Sequence, residues 1–231
     1  MNHQYTYFLI LAASLAGPLA LSFDKKVAFF KKWKPLFKAM LLPALFYIAW
    51  DIYFTSIGVW RFNENFYVPQ LKLFNLPLEE VLFFFIVPYC CVFIYECIRC
   101  YFPSLKNNKA ADIILKVLAL LLAIAGLVFY DRQYSAYTFL LTAAFIAGIY
   151  IFRSYVKEFD AASFLVSFAI VLVPFLLVNG FLTAIPVVLY NNAENLSIRI
   201  YTIPFEDTFY GMLLMLMNVV LYEKLGNRKA D

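Results

Sequence analysis

The chain has 231 residues, of which 64% are hydrophobic, 20% aromatic and only 15% charged. A water-soluble domain of this length carries more charge and fewer rings, and the net charge of +4 reflects basic loops on one membrane face rather than a nucleic-acid surface. Several apolar runs reach the roughly 20 residues that cross a bilayer, and they do not alternate as barrel strands do, so the expected fold class is an all-α integral membrane protein.

Seven transmembrane helices are predicted, at 4–23, 36–57, 78–99, 113–130, 136–152, 162–185 and 205–223. The first run follows Met1-Asn2-His3-Gln4, with no Lys or Arg ahead of it. It therefore lacks the positive start of a signal peptide and reads as a retained helix. The loop after it carries Lys25, Lys26, Lys31, Lys32 and Lys34. Basic residues recur in alternate connections: Arg99, Lys106 and Lys109, then Arg153 and Lys157, then Lys224, Arg228 and Lys229. The positive-inside rule places these on the cytoplasmic face, with the N-terminus outside, the C-terminus inside and the plasma membrane as the location. The two long connections 58–77 and 186–204 fall on the outer face, where loops of such length are often functional. The four cysteines, Cys90, Cys91, Cys97 and Cys100, share one span. His3 is the only histidine, so they read as free thiols rather than a zinc site.

The two outer loops lead into matching text. Pro77-Leu78-Glu79-Glu80 and Pro204-Phe205-Glu206-Asp207 stand 127 residues apart, as do Tyr95-Glu96 and Tyr222-Glu223. Upstream the offset is 128, relating Thr55 to Thr183 and Asp51 to Asn179. Helices 2–3 thus match helices 6–7, helix 1 matches helix 5, and helix 4 connects them. An even shift of four helices predicts two three-helix units in parallel, about a pseudo-two-fold axis along the membrane normal. The units are 1–102 and 135–231, with 103–134 as linker.

Such an axis would bring Glu79, Glu80, Glu206 and Asp207 to one depth. Acids at the edge of a hydrocarbon core are costly and point to function, although Pro-x-Glu is also sound helix-start grammar. Neighbours on a helix lie about 100° apart, so one acid of each pair faces inward while the other supports it. A carboxylic acid that stays protonated near neutral pH is a general acid. Phe83, Phe84, Phe85, Phe209 and Tyr210 follow the acids, while Trp50, Tyr53, Phe54 and Trp60 precede them. Aromatic faces stabilise cations, although membrane helices are rich in Phe for packing alone. Thr55 and Thr183 either hydrogen-bond the acids or bond their own i−4 carbonyls. Glu64 and Glu194 are expected to be solvated or paired with Arg61 or Arg199, and Glu96 and Glu223 to form ion pairs. A proton-coupled transporter would also use repeats and buried acids, but nearer mid-membrane. A retinal-binding protein needs a lysine within the last span, and 205–223 has none.

Pro-Leu-Glu-Glu and Pro-Phe-Glu-Asp, with Phe54-Thr55 and Gly58-Val59-Trp60, resemble the small membrane lycopene cyclases of the heterodimer type, here with both units fused in one chain. The resemblance implies redox-neutral cyclisation of lycopene ψ ends to β-ionone rings, giving γ- and then β-carotene, with ε rings or other carotenoids as the alternative. It implies an isomerase (an intramolecular lyase) of carotenoid biosynthesis, with Glu79 and Glu206 as the first candidates for the acid and Glu80 and Asp207 tuning it or acting as base. Asp51, Thr55, Trp60, Phe83, Asn179, Thr183, Phe209 and Tyr210 are the expected supporting or substrate-binding residues. The expected partners are a carotenoid and the bilayer, with homo-oligomers or other carotenoid enzymes as further associations. No cofactor and no metal are expected: the seven glycines form no GxGxxG, so the flavin-binding cyclase fold is absent. Because Asp51 becomes Asn179 and Glu80 becomes Asp207, one asymmetric shared site is as consistent with the text as two equivalent sites.

Overall fold

The computed structural model describes residues 3–106 and 108–226; Met1 and Asn2, and with them the tail residues Arg228 and Lys229, lie outside the described residues. Seven α-helices carry the chain: α1 (Thr6–Leu21), α2 (Trp33–Ser56), α3 (Leu78–Tyr101), α4 (Lys109–Val128), α5 (Gln133–Ile151), α6 (Ala161–Ala184) and α7 (Asp207–Gly226). Six short strands lie between α2 and α3 and between α6 and α7: β1 (Trp60–Phe62), β2 (Lys72–Leu73), β3 (Leu76–Pro77), β4 (Val188–Tyr190), β5 (Arg199–Ile200) and β6 (Ile203–Pro204).

Among the described residues, six helices are long and apolar enough to cross a membrane. The exception is α1, whose 16 residues rise only about 24 Å at 1.5 Å each, short of a hydrocarbon core of about 30 Å. The polar start at His3 and Gln4 and the turn at Ser22–Asp24 trim the expected run 4–23 at both ends. Inside the long helices, Pro43, Pro88 and Pro174 interrupt the backbone ladder.

The repeat is carried into three dimensions. Both α2 and α6 run for 24 residues, and α2 packs against α7 while α6 packs against α3. Hairpins β2–β3 and β5–β6 share one register, Lys72 opposite Pro77 and Arg199 opposite Pro204. Their tips, Phe74 and Tyr201, both adopt positive φ, 55° and 59°. The two halves meet in the antiparallel pair β1–β4, where Trp60 faces Tyr190, Arg61 faces Leu189 and Phe62 faces Val188. At the offset of 128, Phe62 is the counterpart of Tyr190, and Trp60 of Val188. The ladder is therefore self-complementary, with its local two-fold passing between Arg61 and Leu189.

The connecting helix α4 packs mainly on α5 and keeps its other faces apolar and outward. At the end opposite the strands, buried Glu96 is paired with Lys32 and Arg99, and Arg99 also pairs with Glu223. The Tyr222 hydroxyl donates to Glu96 at 2.8 Å. Buried charges need such partners, so the Tyr-Glu echo of the sequence is a clamp between α3 and α7. All four cysteines are free, as the sequence leads one to expect.

Candidate active site

The strands cap a cavity at the junction of the two halves, a space of about 490 Å³ when its open mouth is included. Three carboxylic acids line it: Asp51 from α2, Glu80 from α3 and Asp207 from α7. They are only 2%, 7% and 3% exposed, and no Lys, Arg or His is among the residues lining the cavity. The acids are spread around the wall, and among the described residues no three His, Cys, Asp or Glu side chains are grouped to hold a metal ion.

Each acid is held by a phenol. Tyr7 of α1 donates to Glu80 Oε2 at 2.6 Å, and Tyr134 of α5 donates to Asp207 Oδ1 at 2.6 Å. Tyr7 and Tyr134 are themselves 127 residues apart, so the acid–phenol pair is a unit of the repeat. Tyr190, on β4, donates to the second oxygen of Asp207 at 2.9 Å. Burial, and then the charge of Asp207, push the Tyr190 phenol well above its ordinary pKa, which keeps it a donor. Its counterpart Phe62 has no hydroxyl, so Glu80 receives one phenol where Asp207 receives two. Asp51 accepts from Tyr210 at 2.6 Å and lines the same cavity wall as Glu80. Its counterpart Asn179 also faces the cavity but carries no charge.

The first acid of each pair does something else. Glu79 Oε1 accepts the backbone N–H of Val68 at 3.0 Å, and Glu206 Oε1 accepts that of Leu196 at 2.7 Å. The Ser135 hydroxyl adds a second bond to Glu206 at 2.5 Å. Neither Glu79 nor Glu206 lines the cavity. Both are buried struts that fasten the capping loop to the helix start. The helix phase that points the second acid of each pair inward turns the first toward the loop.

Of the other sequence candidates, Trp60, Phe83, Asn179, Thr183 and Tyr210 line the cavity; Thr55 and Phe209 do not. Phe209 packs edge-on against Phe139 and Phe205 in a separate cluster. Thr183 bonds its i−4 carbonyl on Asn179 at 2.8 Å and the Thr202 hydroxyl at 2.6 Å. Thr55 Oγ1 is buried without a hydrogen-bond partner among the described residues, so it matches neither reading. Glu64 pairs with Lys72 at 2.7 Å, which holds its carboxyl below the usual range, instead of with Arg61. Glu194 accepts the N–H of Gln133 at the start of α5, and Arg199 bonds Asn192 instead.

The sequence reading missed Tyr7, Tyr134 and Tyr190. The first two were within reach, since the offset of 127 applied to α1 pairs them directly. The cavity wall is otherwise aromatic. The Trp60 ring lies 5.2 Å from that of Tyr134 and 6.3 Å from that of Tyr210, both edge-on. Such a wall presents ring faces and edges to whatever occupies the space, and ring faces attract positive charge.

A model of one protein family, described as lycopene cyclase, matches the chain twice, over residues 4–98 and 131–225. The two matched segments are offset by the same 127 residues as the acid motifs and cover well over half of the sequence. Neither curated proteins nor solved structures yield a match. The repeated match, laid over the two halves that meet at one acid-lined cavity, shows that this chain belongs to the lycopene cyclase family, with two cyclase units fused in a single membrane protein of carotenoid biosynthesis.

Proposed function

We propose that the chain is a lycopene β-cyclase in which Asp51, Glu80 and Asp207 carry the proton chemistry. The observation that supports this most is the convergence of these three acids, without a lining cation, on one aromatic cavity. Three uncompensated negative charges in such a place are prohibitively costly, so the wall holds at least one proton. Asp51 and Glu80, from the packed helices α2 and α3, hold it between them and deliver it to C2 of a ψ end. The cation formed at C1 is attacked by the C5=C6 double bond. The C1–C6 bond forms and the positive charge moves to C5. Loss of the C6 proton completes the β ring with no net change in atoms or electrons. Asp207, solvated as a carboxylate by two phenols, is the base. The cycle closes between turnovers, when Asp207 gives its proton to water and the Asp51–Glu80 pair takes one up from water. Trp60, Phe83 and Tyr134 shield the cation from water and stabilise it through their rings.

Under this reading Glu79 and Glu206 are positioning residues rather than acids. The basic end of the bundle faces the cytoplasm, the capped cavity lies on the outer side of the plasma membrane, and the substrate arrives from the bilayer. The test is expression of the chain, followed by incubation of the membranes with unlabelled lycopene in heavy water and chromatography and mass spectrometry of the pigments. Bicyclic β-carotene carrying one deuterium at each ring C2 is the expected product. Unchanged lycopene beside well-inserted protein would refute the assignment. Rings without deuterium would refute the protonation step, and ε rings would move the base from C6 to C4.

A further inference from the structure

The carboxylate cavity has room for an end group, not for a C40 chain, and the rest of the substrate needs a place. A second, apolar cleft of about 600 Å³ opens between α1, α3 and α6. Pro18, Cys90, Pro174 and Val178 are among its walls, and Phe175 lines both spaces. The Phe175 ring is the partition between them. It rests on α7 at Gly211, where an added Cβ would lie 2.7 Å from the Phe175 Cζ. The wall along α3 continues from Phe83 in the first cavity to Ile94 in the cleft, roughly 16 Å at the helical rise. Val173 and Leu177, beside the cleft on α6, are 64% and 61% exposed, so the cleft faces outward, where the spans meet lipid.

The repeat supplies an internal comparison. At the offsets of 127 and 128, the counterparts of Pro18, Cys90, Pro174, Phe175 and Val178 are Phe145, Met217, Phe46, Tyr47 and Trp50. Four of these five are aromatic, and three of them are in mutual ring contact. Phe46, Tyr47 and Trp50 lie within 5.6 Å of one another, ring to ring, and the Tyr47 hydroxyl is tied to the Tyr210 carbonyl at 2.9 Å. The open side of the pseudo-two-fold thus carries prolines, a cysteine and a valine at positions where the other side carries mostly rings.

Resting on the cyclase reading, we infer that the cleft between α1, α3 and α6 is the binding site for the polyene chain of the substrate, with Phe175 as the partition past which the chain runs into the carboxylate cavity. An apolar chain gains little by leaving lipid for a protein cleft. The cleft instead fixes how far the end group reaches, and therefore which carbon meets the acids. With one cleft for one cavity, the two ends of lycopene enter one at a time.

The experiment installs the first half's own residue in the second. Val178→Trp sets an indole where Trp50 stands across the axis. Turnover is measured in membranes on lycopene and on a short acyclic hydrocarbon with one ψ end and no chain beyond the carboxylate cavity. The expected result is a loss of about tenfold or more on lycopene with the short substrate within about twofold of the unsubstituted protein. Unchanged lycopene turnover, or an equal loss on both substrates, overturns the inference. Failure of the unsubstituted protein on lycopene is a different outcome, since it refutes the cyclase reading itself. A second measurement needs no variant: alkylation of Cys90 by N-ethylmaleimide, read by peptide mass spectrometry with and without lycopene in the membrane. Lycopene is expected to slow Cys90 several-fold and leave Cys97, which does not line the cleft, unchanged. Equal rates at Cys90 with and without lycopene mean that ordinary lipid fills the cleft, and overturn the inference.

Discussion

Glu79 and Glu80 are chemically identical neighbours in one helical turn, yet the structure gives them opposite work, and glutamine separates the two. In Glu80→Gln the amide keeps the size of the side chain and can still accept from Tyr7, but it has no acidic proton. Removing a general acid costs roughly 10²–10⁴ in rate, while a neutral amide in place of a buried, uncompensated acid leaves stability level or better. In Glu79→Gln the carbonyl can still accept the Val68 N–H, now as a neutral bond. The loss is about 1 kcal/mol, the difference between a charge-assisted and an ordinary hydrogen bond. Turnover should stay within a few-fold. Glu79→Ala strands the Val68 N–H and costs about 1–3 kcal/mol. Initial rates in native membranes, with thermal unfolding in detergent followed by tryptophan fluorescence, measure both quantities. A dead but stable Glu79→Gln beside an active Glu80→Gln would refute the division of labour and restore the first acid as the proton donor.

Tyr134→Phe removes one of two donors to Asp207 without changing the shape of the wall. A hydrogen bond to a charged group is worth about 1.5–3 kcal/mol, so turnover should fall at least about tenfold with the fold intact; an unchanged rate would remove Asp207 from the role of base. Adding the second change, Tyr190→Phe, should deepen the loss, and should do so less than additively if both phenols serve one carboxylate. With a single chain-binding cleft, the monocyclic intermediate should accumulate before the bicyclic product in a lycopene time course. Bicyclic product appearing from the start, with no monocyclic pool, would mean that both ends react in one binding event.

Much of this arrangement was legible in the text, and the illegible parts have physical reasons. Length and polarity locate the helices, but α1 ends where polar residues interrupt it and not where hydropathy fades. Pro-Leu-Glu-Glu and its echo locate the site. They do not say which acid faces inward, because that depends on the helix phase set by the loop packed across the helix start. The loop speaks through backbone groups of Val68 and Leu196, whose side chains carry no trace of the bond. Tyr7 and Tyr134 obey the same offset of 127, which the motifs carry through helices 2–3 and 6–7 while helix 1 has no acid to draw the eye. Asp51 and Asn179 were visible as a mismatch between the halves, and the mismatch matters because only Asp51 adds charge to the wall. The cleft could not be read at all, since it is defined by small residues on three helices distant in sequence.

The three-residue ladder β1–β4 has a further consequence. Because its own symmetry coincides with that of the molecule, either half could in principle make the same joint with a copy of itself. Two copies of the first half would bring Phe62 to both sides, leaving each Glu80 with a single phenol and no Tyr190. Two copies of the second half would bring Asn179 to both sides and leave no Asp51. Neither pairing assembles the full set of groups at the cavity. The covalent tether through α4 therefore does more than raise local concentration: it enforces a marriage of unlike partners, in which one half contributes Asp51 and Glu80, the other contributes the doubly solvated carboxylate, and both wall the cleft.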